Sequence, residues 1–291
     1  LDVTGSYNTT TGIFVGSTTV STSGTISNNR VYDLRNPAYD GQVQGIWLTG
    51  TGSWDVNNNQ ISLGNYFAQD TTNNVGIFGL EDDLSYGTGS SANYYYNSVI
   101  IGGQQAAGDG FGFDYSAAFI RQPGQTGTVA GDVINLKNNI FINNRTGGTG
   151  SKHWAIANYG TSNYATNWSS SAANYNFLGS RSASTLGRWG STDLTFNNWQ
   201  TSSSGDANSW NLNTVASGSS SLTQLNPYNL FTNLRSGNLN IYSSNSACWF
   251  VNGKGVAGSA SGSIATDRSE EHTSELQSHS DLVCRLLLEK K

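Results

Sequence analysis

The chain has no methionine, three prolines, two cysteines and three histidines in 291 residues, and only 11% of its side chains are charged. Each scarcity excludes something. Cys284 falls in a C-terminal stretch of foreign composition, so Cys248 stands alone and no disulfide framework is expected. A formal charge of −5 with few basic residues makes nucleic acid and anionic membrane surfaces unsuitable partners. No apolar run approaches the ~18 residues that a membrane-spanning helix needs, so no span is expected. Before residue 268 there is one histidine, His153, with no second histidine or cysteine nearby to complete a metal site. There is also no Gly-x-Ser-x-Gly nucleophile elbow. The lack of methionine, with a start at Leu1 inside polar, strand-like sequence, suggests a fragment of a longer, multidomain chain with its secretion signal missing.

What is present is a repeat. Apolar-x-Asn-Asn-x-apolar patterns surround Asn29, Asn59, Asn97, Asn139 and Asn176, in steps of 30, 38, 42 and 37 residues. A second marker precedes each: Gly12-Ile13-Phe14, Gly45-Ile46-Trp47, Gly76-Ile77-Phe78, Ala118-Phe119-Ile120 and Ala155-Ile156-Ala157. In the last three repeats the marker starts 21 residues before the asparagine. The flanking residues alternate apolar and polar and are rich in Ile, Val, Phe and Tyr, which is strand periodicity. Short strands at a repeated spacing imply a solenoid. The fold expected is all-β: a right-handed parallel β-helix of about five coils plus a C-terminal capping region, its handedness taken from the general crossover rule. Stacking is expected to bring Ile61, Val99, Ile140 and Phe177 into one interior column. The Asn pairs are expected at bends, where Asn tolerates the left-handed conformation and can form a side-chain ladder.

Residues 1–180 read as the coils and 181–267 as an irregular segment followed by terminal coils that cap the open end. Residues 268–291 differ in kind, holding 9 charged residues in 24. Both Arg268–Ser278 and Leu282–Lys291 resemble, in one frame, the fixed blocks of a translated sequencing adapter. This tail is read as non-native, disordered or an isolated helix, and is set aside from the fold.

A family resemblance rests on Asn226-Pro227-Tyr228-Asn229-Leu230-Phe231, Gly237-Asn238-Leu239-Asn240-Ile241, Ser246 to Gly255 and Ile264-Ala265-Thr266-Asp267. It extends to Trp199-Gln200, Gly205 to Ser209, Lys137 to Arg145 and Lys152 to Ile156. These segments resemble the pectin-lyase-like right-handed β-helix proteins of Bacteroidota-type bacteria, cargo of the type IX secretion system. The resemblance covers most of 1–267 and implies an extracellular or outer-surface location. Its motifs are structural, so it implies no catalytic residue.

Lyases of this fold use a carboxylate cluster for calcium together with Arg or Lys. The acidic cluster here is Glu81-Asp82-Asp83. Neighbouring strand residues point to opposite faces, so all three can aim at one ion only from a loop. A loop is expected there, and a solvated acidic turn is favoured over a calcium site, so no cofactor is assigned. Asp109 and Asp114 are the other carboxylates that a glycosidase pair could draw on. The aromatics are the better lead: Trp47, Trp54, Tyr94, Tyr95, Tyr96, Trp154, Tyr159, Tyr164 and Trp168. Flat rings on an outer face suit sugars, with Trp47, Trp54, Trp154 and Tyr159 as candidates, while inward packing is the plainer reading for half of them. The sequence therefore points to a non-catalytic, adhesin-like surface module that binds a polysaccharide or surface glycan. A carbohydrate-active lyase or hydrolase is the alternative.

Overall fold

The computed structural model describes residues 8–19, 21–36, 41–65, 75–84, 89–106, 114–122, 133–148, 152–159, 168, 171–214, 224–252 and 255. The 268–291 tail, Asp109, Tyr164 and Ile264 to Asp267 lie outside these residues. The chain is mainly β-structure built around parallel sheets. The first sheet stacks Thr9–Ser17, Gln42–Gly50, Gly76–Leu84, Ser116–Arg121, His153–Tyr159 and Gly187–Gly190, then adds Thr192–Leu194 antiparallel. The second stacks Ser23–Ser27, Ser53–Asn57, Ser91–Tyr95, Val133–Lys137 and Ala173–Asn174. The third stacks Arg30–Tyr32, Gln60–Leu63, Ser98–Ile101, Ile140–Asn143, Phe177–Ser180, Trp210–Thr214 and Gln224–Leu225. Each repeat thus gives one strand to each sheet in turn, and residues from all three sheets meet in one apolar core.

The Asn-Asn pairs divide two tasks between them. The residue before each repeated asparagine has positive φ: Asn28 (58°), Asn58 (53°), Tyr96 (56°), Asn138 (58°) and Tyr175 (58°). This left-handed residue turns the chain from the second sheet into the third, and Asn accepts it at the least cost among residues with a side chain. The asparagine that follows turns inward and forms a ladder. Asn29 Nδ2 donates to Asn59 Oδ1 (3.0 Å), Asn59 to Asn97 (3.0 Å), Asn97 to Asn139 (3.1 Å) and Asn139 to Asn176 (3.1 Å). Each of these oxygens also accepts the backbone N–H of the preceding ladder residue. The second amide hydrogen goes to a backbone carbonyl, such as Val56 O from Asn97 (2.8 Å) or Tyr94 O from Asn139 (2.9 Å). Buried amides are stable only when satisfied in this way. The ladder ends on Asp206, whose Oδ1 accepts from Asn176 Nδ2 (2.9 Å) and Ser209 Oγ (2.6 Å), and whose Oδ2 accepts from Trp199 Nε1 (2.8 Å).

Two sequence expectations need correction. The interior column is Ile61, Val99, Phe141 and Leu178, all fully buried and in mutual register. Ile140 and Phe177 stand one residue earlier, beside Ser98, and face out of the core. A slip of one residue exchanges the two faces of a strand, and apolar residues on both sides of each asparagine hide that slip in the sequence. The third copy of the Gly/Ala marker is Gly79-Leu80-Glu81, because Ile46 pairs with Leu80 and Leu80 with Phe119. Gly76 pairs with Gln42 instead. The physical requirement is close approach: a Cβ on Gly79 would lie 2.2 Å from Val99 Cγ1 and 2.5 Å from Ala118 O. Gly45 meets the same limit, 2.6 Å from Ile61 Cγ2. The marker is a place where the first sheet lies close against the third.

The expected break at 180 does not interrupt the stack, since Gly187–Gly190 and Trp210–Thr214 extend the first and third sheets. The helix Phe196–Ser203 starts at Thr195, whose hydroxyl accepts from Asn198 N–H, and sends Trp199 into the main core. There Trp199 packs edge-on against Trp168 (5.4 Å) and Trp189 (5.7 Å). Gln224–Leu225 extends the end of the third sheet, and residues 226–252 lie along its outer face, where Leu230, Phe231, Leu234 and Leu239 cover Ile100, Ile142 and Phe177. Apolar residues on both faces of that sheet need a second cover, and this strap supplies it.

Candidate functional site

The outer face of the second sheet carries a polar groove of about 270 Å³ lined by Ser23, Gly24, Thr25, Ser53, Trp54, Asp55 and Asn93. Alternation explains its chemistry. Ile26, Val56, Tyr94 and Leu136 turn into the core, so Thr25, Asp55, Asn93 and Asn135, one residue earlier and in register, turn outward. Trp54 is half-buried against the core; its Nε1 donates to Thr51 O (3.3 Å), and its ring lies over Gly24, where a Cβ would come within 2.7 Å of it. Asn93 Nδ2 donates to Asp55 Oδ1 (2.7 Å) and Asn135 Nδ2 to Asn93 Oδ1 (2.6 Å). Tyr95 borders the row on the same face, its hydroxyl 3.5 Å from Asn93 Oδ1. Burial, and then the Asp55 charge, push its phenol pKa upward.

The acidic triplet is not in a loop. Glu81, Asp82 and Asp83 fall within the strand Gly76–Leu84, so Glu81 and Asp83 share the outer face while Asp82 points the other way. This removes the convergent trio. Asp82 lies in register with Arg121, both nearly inaccessible, and Lys137 belongs to the second sheet beside Tyr95. Among the described residues no three His, Cys, Asp or Glu side chains are grouped so as to hold a metal ion. Glu81 accepts hydrogen bonds from the Gln44 and Gln122 side-chain amides. Burial raises its pKa to about 8, and burial with the Asp82 charge raises that of Asp83 to about 7.

Trp47 sits beside Glu81 in register, its ring 4.9 Å from Phe14, which is 57% exposed. Trp154 offers no open face. It is fully buried, its Nε1 donates to Asp193 Oδ1 (2.9 Å), and the Arg188 guanidinium lies 4.9 Å from its ring centre. Tyr159, half-buried, stacks on Tyr115 (4.9 Å) under the same guanidinium (5.0 Å). Of the four aromatic candidates, Trp54 alone lines the groove. Asp114 is buried next to Tyr115, and Tyr94 and Trp168 are core residues.

A second polar pair escaped the sequence reading. Ser116 Oγ lies 2.9 Å from His153 Nδ1, while His153 Nε2 is 3.0 Å from Gly147 O. The carbonyl can only accept, so the proton is on Nε2 and the hydroxyl donates to Nδ1. Burial lowers the His153 pKa to about 4 and keeps the ring neutral. A Ser–His contact is the start of a nucleophile–base pair. Here both residues are buried and the distal nitrogen meets a carbonyl, so the pair ties the first sheet to the Thr146–Gly147 strand.

Thr25, Asp55, Asn93 and Asn135 were also missed, although a signal existed. Each stands four residues before its repeat's ladder asparagine. Compared with protein-family profiles, curated proteins and solved structures, the chain matches none.

Proposed function

We propose that the chain is a right-handed parallel β-helix acting as a non-catalytic, extracellular surface module that binds glycan in the Trp54–Asp55–Asn93 groove. One observation carries the reading: the groove gathers the Ser23, Thr25 and Ser53 hydroxyls, the Asn93 amide and the Asp55 carboxylate on the outer face of a sheet. Such a surface suits sugar hydroxyls. The serial parallel sheets, the shared core and the Asn ladder support the β-helix, and the crossover rule supplies its hand. The likeness to secreted pectin-lyase-like proteins supports the location, and the adapter-like sequence of 268–291 supports leaving that tail out of the module.

The test is a glycan array probed with the full chain and with its Asn93→Ala and Asp55→Ala variants. Binding by the parent that both variants lose, without release of new reducing ends, fits the proposal. Polymer cleavage by the parent overturns it.

A second reading, a hydrolase or lyase, draws on Glu81 and Asp83. These carboxyls share one face of one strand, and both have raised pKa values, as a general acid requires. Reducing-sugar release that disappears in Glu81→Gln favours that reading.

A further inference from the structure

The groove continues beyond its lining. Thr25, Asp55, Asn93 and Asn135 form an outward row with one residue on each of four successive strands of the second sheet. Strands in a sheet stand ~4.8 Å apart, so the row runs ~14 Å along the stacking axis, across the strands. Its hydrogen bonds have one sense. A carboxylate can only accept, so Asp55 fixes the Asn93 amide with nitrogen toward Asp55 and oxygen toward Asn135. Asn135 is then set the same way. Asn93 keeps one N–H, and Asn135 one N–H and its oxygen, outside this chain of bonds; the Asn93 oxygen also accepts from the Tyr95 hydroxyl, and Asn93 and Asn135 are both half-exposed. The face therefore presents the Asp55 carboxylate as an acceptor, an Asn93 N–H as a donor and both kinds of group at Asn135, in orientations fixed before a ligand arrives.

We infer that this row holds a neutral, linear polysaccharide lying along the stacking axis, with its hydroxyls engaging Asp55, Asn93 and Asn135 in succession. The inference rests on the glycan-binding reading above and gives it a ligand class and a direction. Charge decides the class. The groove lining holds one carboxylate, Asp55, and no basic residue, and Lys137 stands two residues beyond Asn135 on its strand. A polyuronate would bring a carboxylate against Asp55, whereas hydroxyls donate to it. Length decides the direction. A ligand lying across the row meets one strand's outward residues, and one lying along it meets the residues of four strands.

The test is isothermal titration of the full chain with β-linked gluco-, manno- and xylo-oligosaccharides of two to six units, and with polygalacturonate. The expected result is affinity that climbs with length until the row is spanned and then levels, with polygalacturonate binding more weakly. Asn135→Ala is expected to weaken the longest neutral ligand about tenfold and the disaccharide less, because a disaccharide can lie on Asp55 and Asn93 alone. Asn135→Ser, with circular dichroism of both variants, separates lost contact from altered fold. Neutral sugars that bind without dependence on length, or that Asn135→Ala affects equally at all lengths, overturn the inference and leave the glycan reading standing. Tighter binding of polygalacturonate overturns the assigned class. Absence of binding to every sugar overturns the inference and the glycan reading together.

Discussion

Replacing Asn97 by alanine tests whether the buried ladder holds the repeats together. The Asn97 side chain is fully buried and makes four hydrogen bonds. Its oxygen accepts from Asn59 N–H (3.1 Å) and Asn59 Nδ2 (3.0 Å), and its nitrogen donates to Val56 O (2.8 Å) and Asn139 Oδ1 (3.1 Å). Asn139 Oδ1 keeps a second donor, the Asn97 N–H, after truncation. The Asn59 N–H, one Asn59 amide hydrogen and the Val56 carbonyl lose a partner inside the core. A buried group left unsatisfied costs about 1–3 kcal/mol, so the loss is expected at about 3–5 kcal/mol after partial rescue by water in the new space. Asn29→Ala at the half-exposed start of the ladder removes only the bonds to Ser27 O and Asn59 Oδ1, and is expected to cost about 1 kcal/mol. Asn97→Asp is nearly isosteric and keeps both acceptor contacts. It turns the two donor contacts into oxygen against oxygen, so it is expected to cost at least as much as alanine. Urea denaturation followed by tryptophan fluorescence and far-UV circular dichroism supplies the values. Equal losses at Asn29 and Asn97, both below about 1 kcal/mol, refute the view that the ladder is a main source of cohesion.

Glu81 titrates near 8 in the folded chain, so from about pH 4.5 to 8 the unfolded state has lost a proton that the native state keeps. Stability therefore falls as pH rises through that window, and Glu81→Gln is expected to flatten the decline in thermal midpoint. His153, lowered to about 4, works in the opposite sense between pH 4 and 6.5, where only the unfolded chain is protonated, so the Glu81 slope is expected to show most clearly above pH 6.5. Gly79→Ala places its methyl 2.2 Å from Val99 Cγ1, and a loss of about 2–3 kcal/mol in denaturant titration is expected, with partial recovery in Gly79→Ala/Val99→Ala. Asp206→Asn turns an amide hydrogen toward the donors Asn176, Ser209 or Trp199, and is expected to cost about 2 kcal/mol and to alter the fluorescence of the Trp199 cluster.

The ladder was legible because one residue type meets two demands at adjacent positions. Asn tolerates positive φ at Asn28, Asn58 and Asn138, and its amide both donates and accepts at the next position. Tyr96 and Tyr175 show that the turn tolerates other residues, while every ladder position in these repeats is asparagine. Register was less legible. Gly76-Ile77-Phe78 and Gly79-Leu80-Glu81 are locally similar, and only the distance to Val99 and Ala118 O chooses between them. The acidic triplet gave no local sign that it sits in a strand, since its place there depends on pairing with Trp47 to Thr49 and with Ile120 and Arg121. Trp154 shows the same limit. An aromatic in a strand reads alike on either face until Arg188 and Asp193, more than thirty residues later, close over it.

The strap of residues 226–252 also changes how the stack behaves as a whole. Gln60 Nε2 reaches Asn240 Oδ1 (2.6 Å), Ser62 Oγ donates to Leu234 O (2.5 Å), and Gly237 packs against Arg30 and Tyr32 of the first repeat. Toward the other end, Trp210 Nε1 donates to Phe250 O (2.7 Å). A linear array with nearest-neighbour contacts alone frays from its ends one repeat at a time. Here the last segment of the described chain is fastened to the first, so the outermost repeat cannot open without also releasing the strap. The cost is kinetic. The Gln60–Asn240 and Ser62–Leu234 contacts span 180 and 172 residues of sequence, and they can form only after the repeats between have found their register.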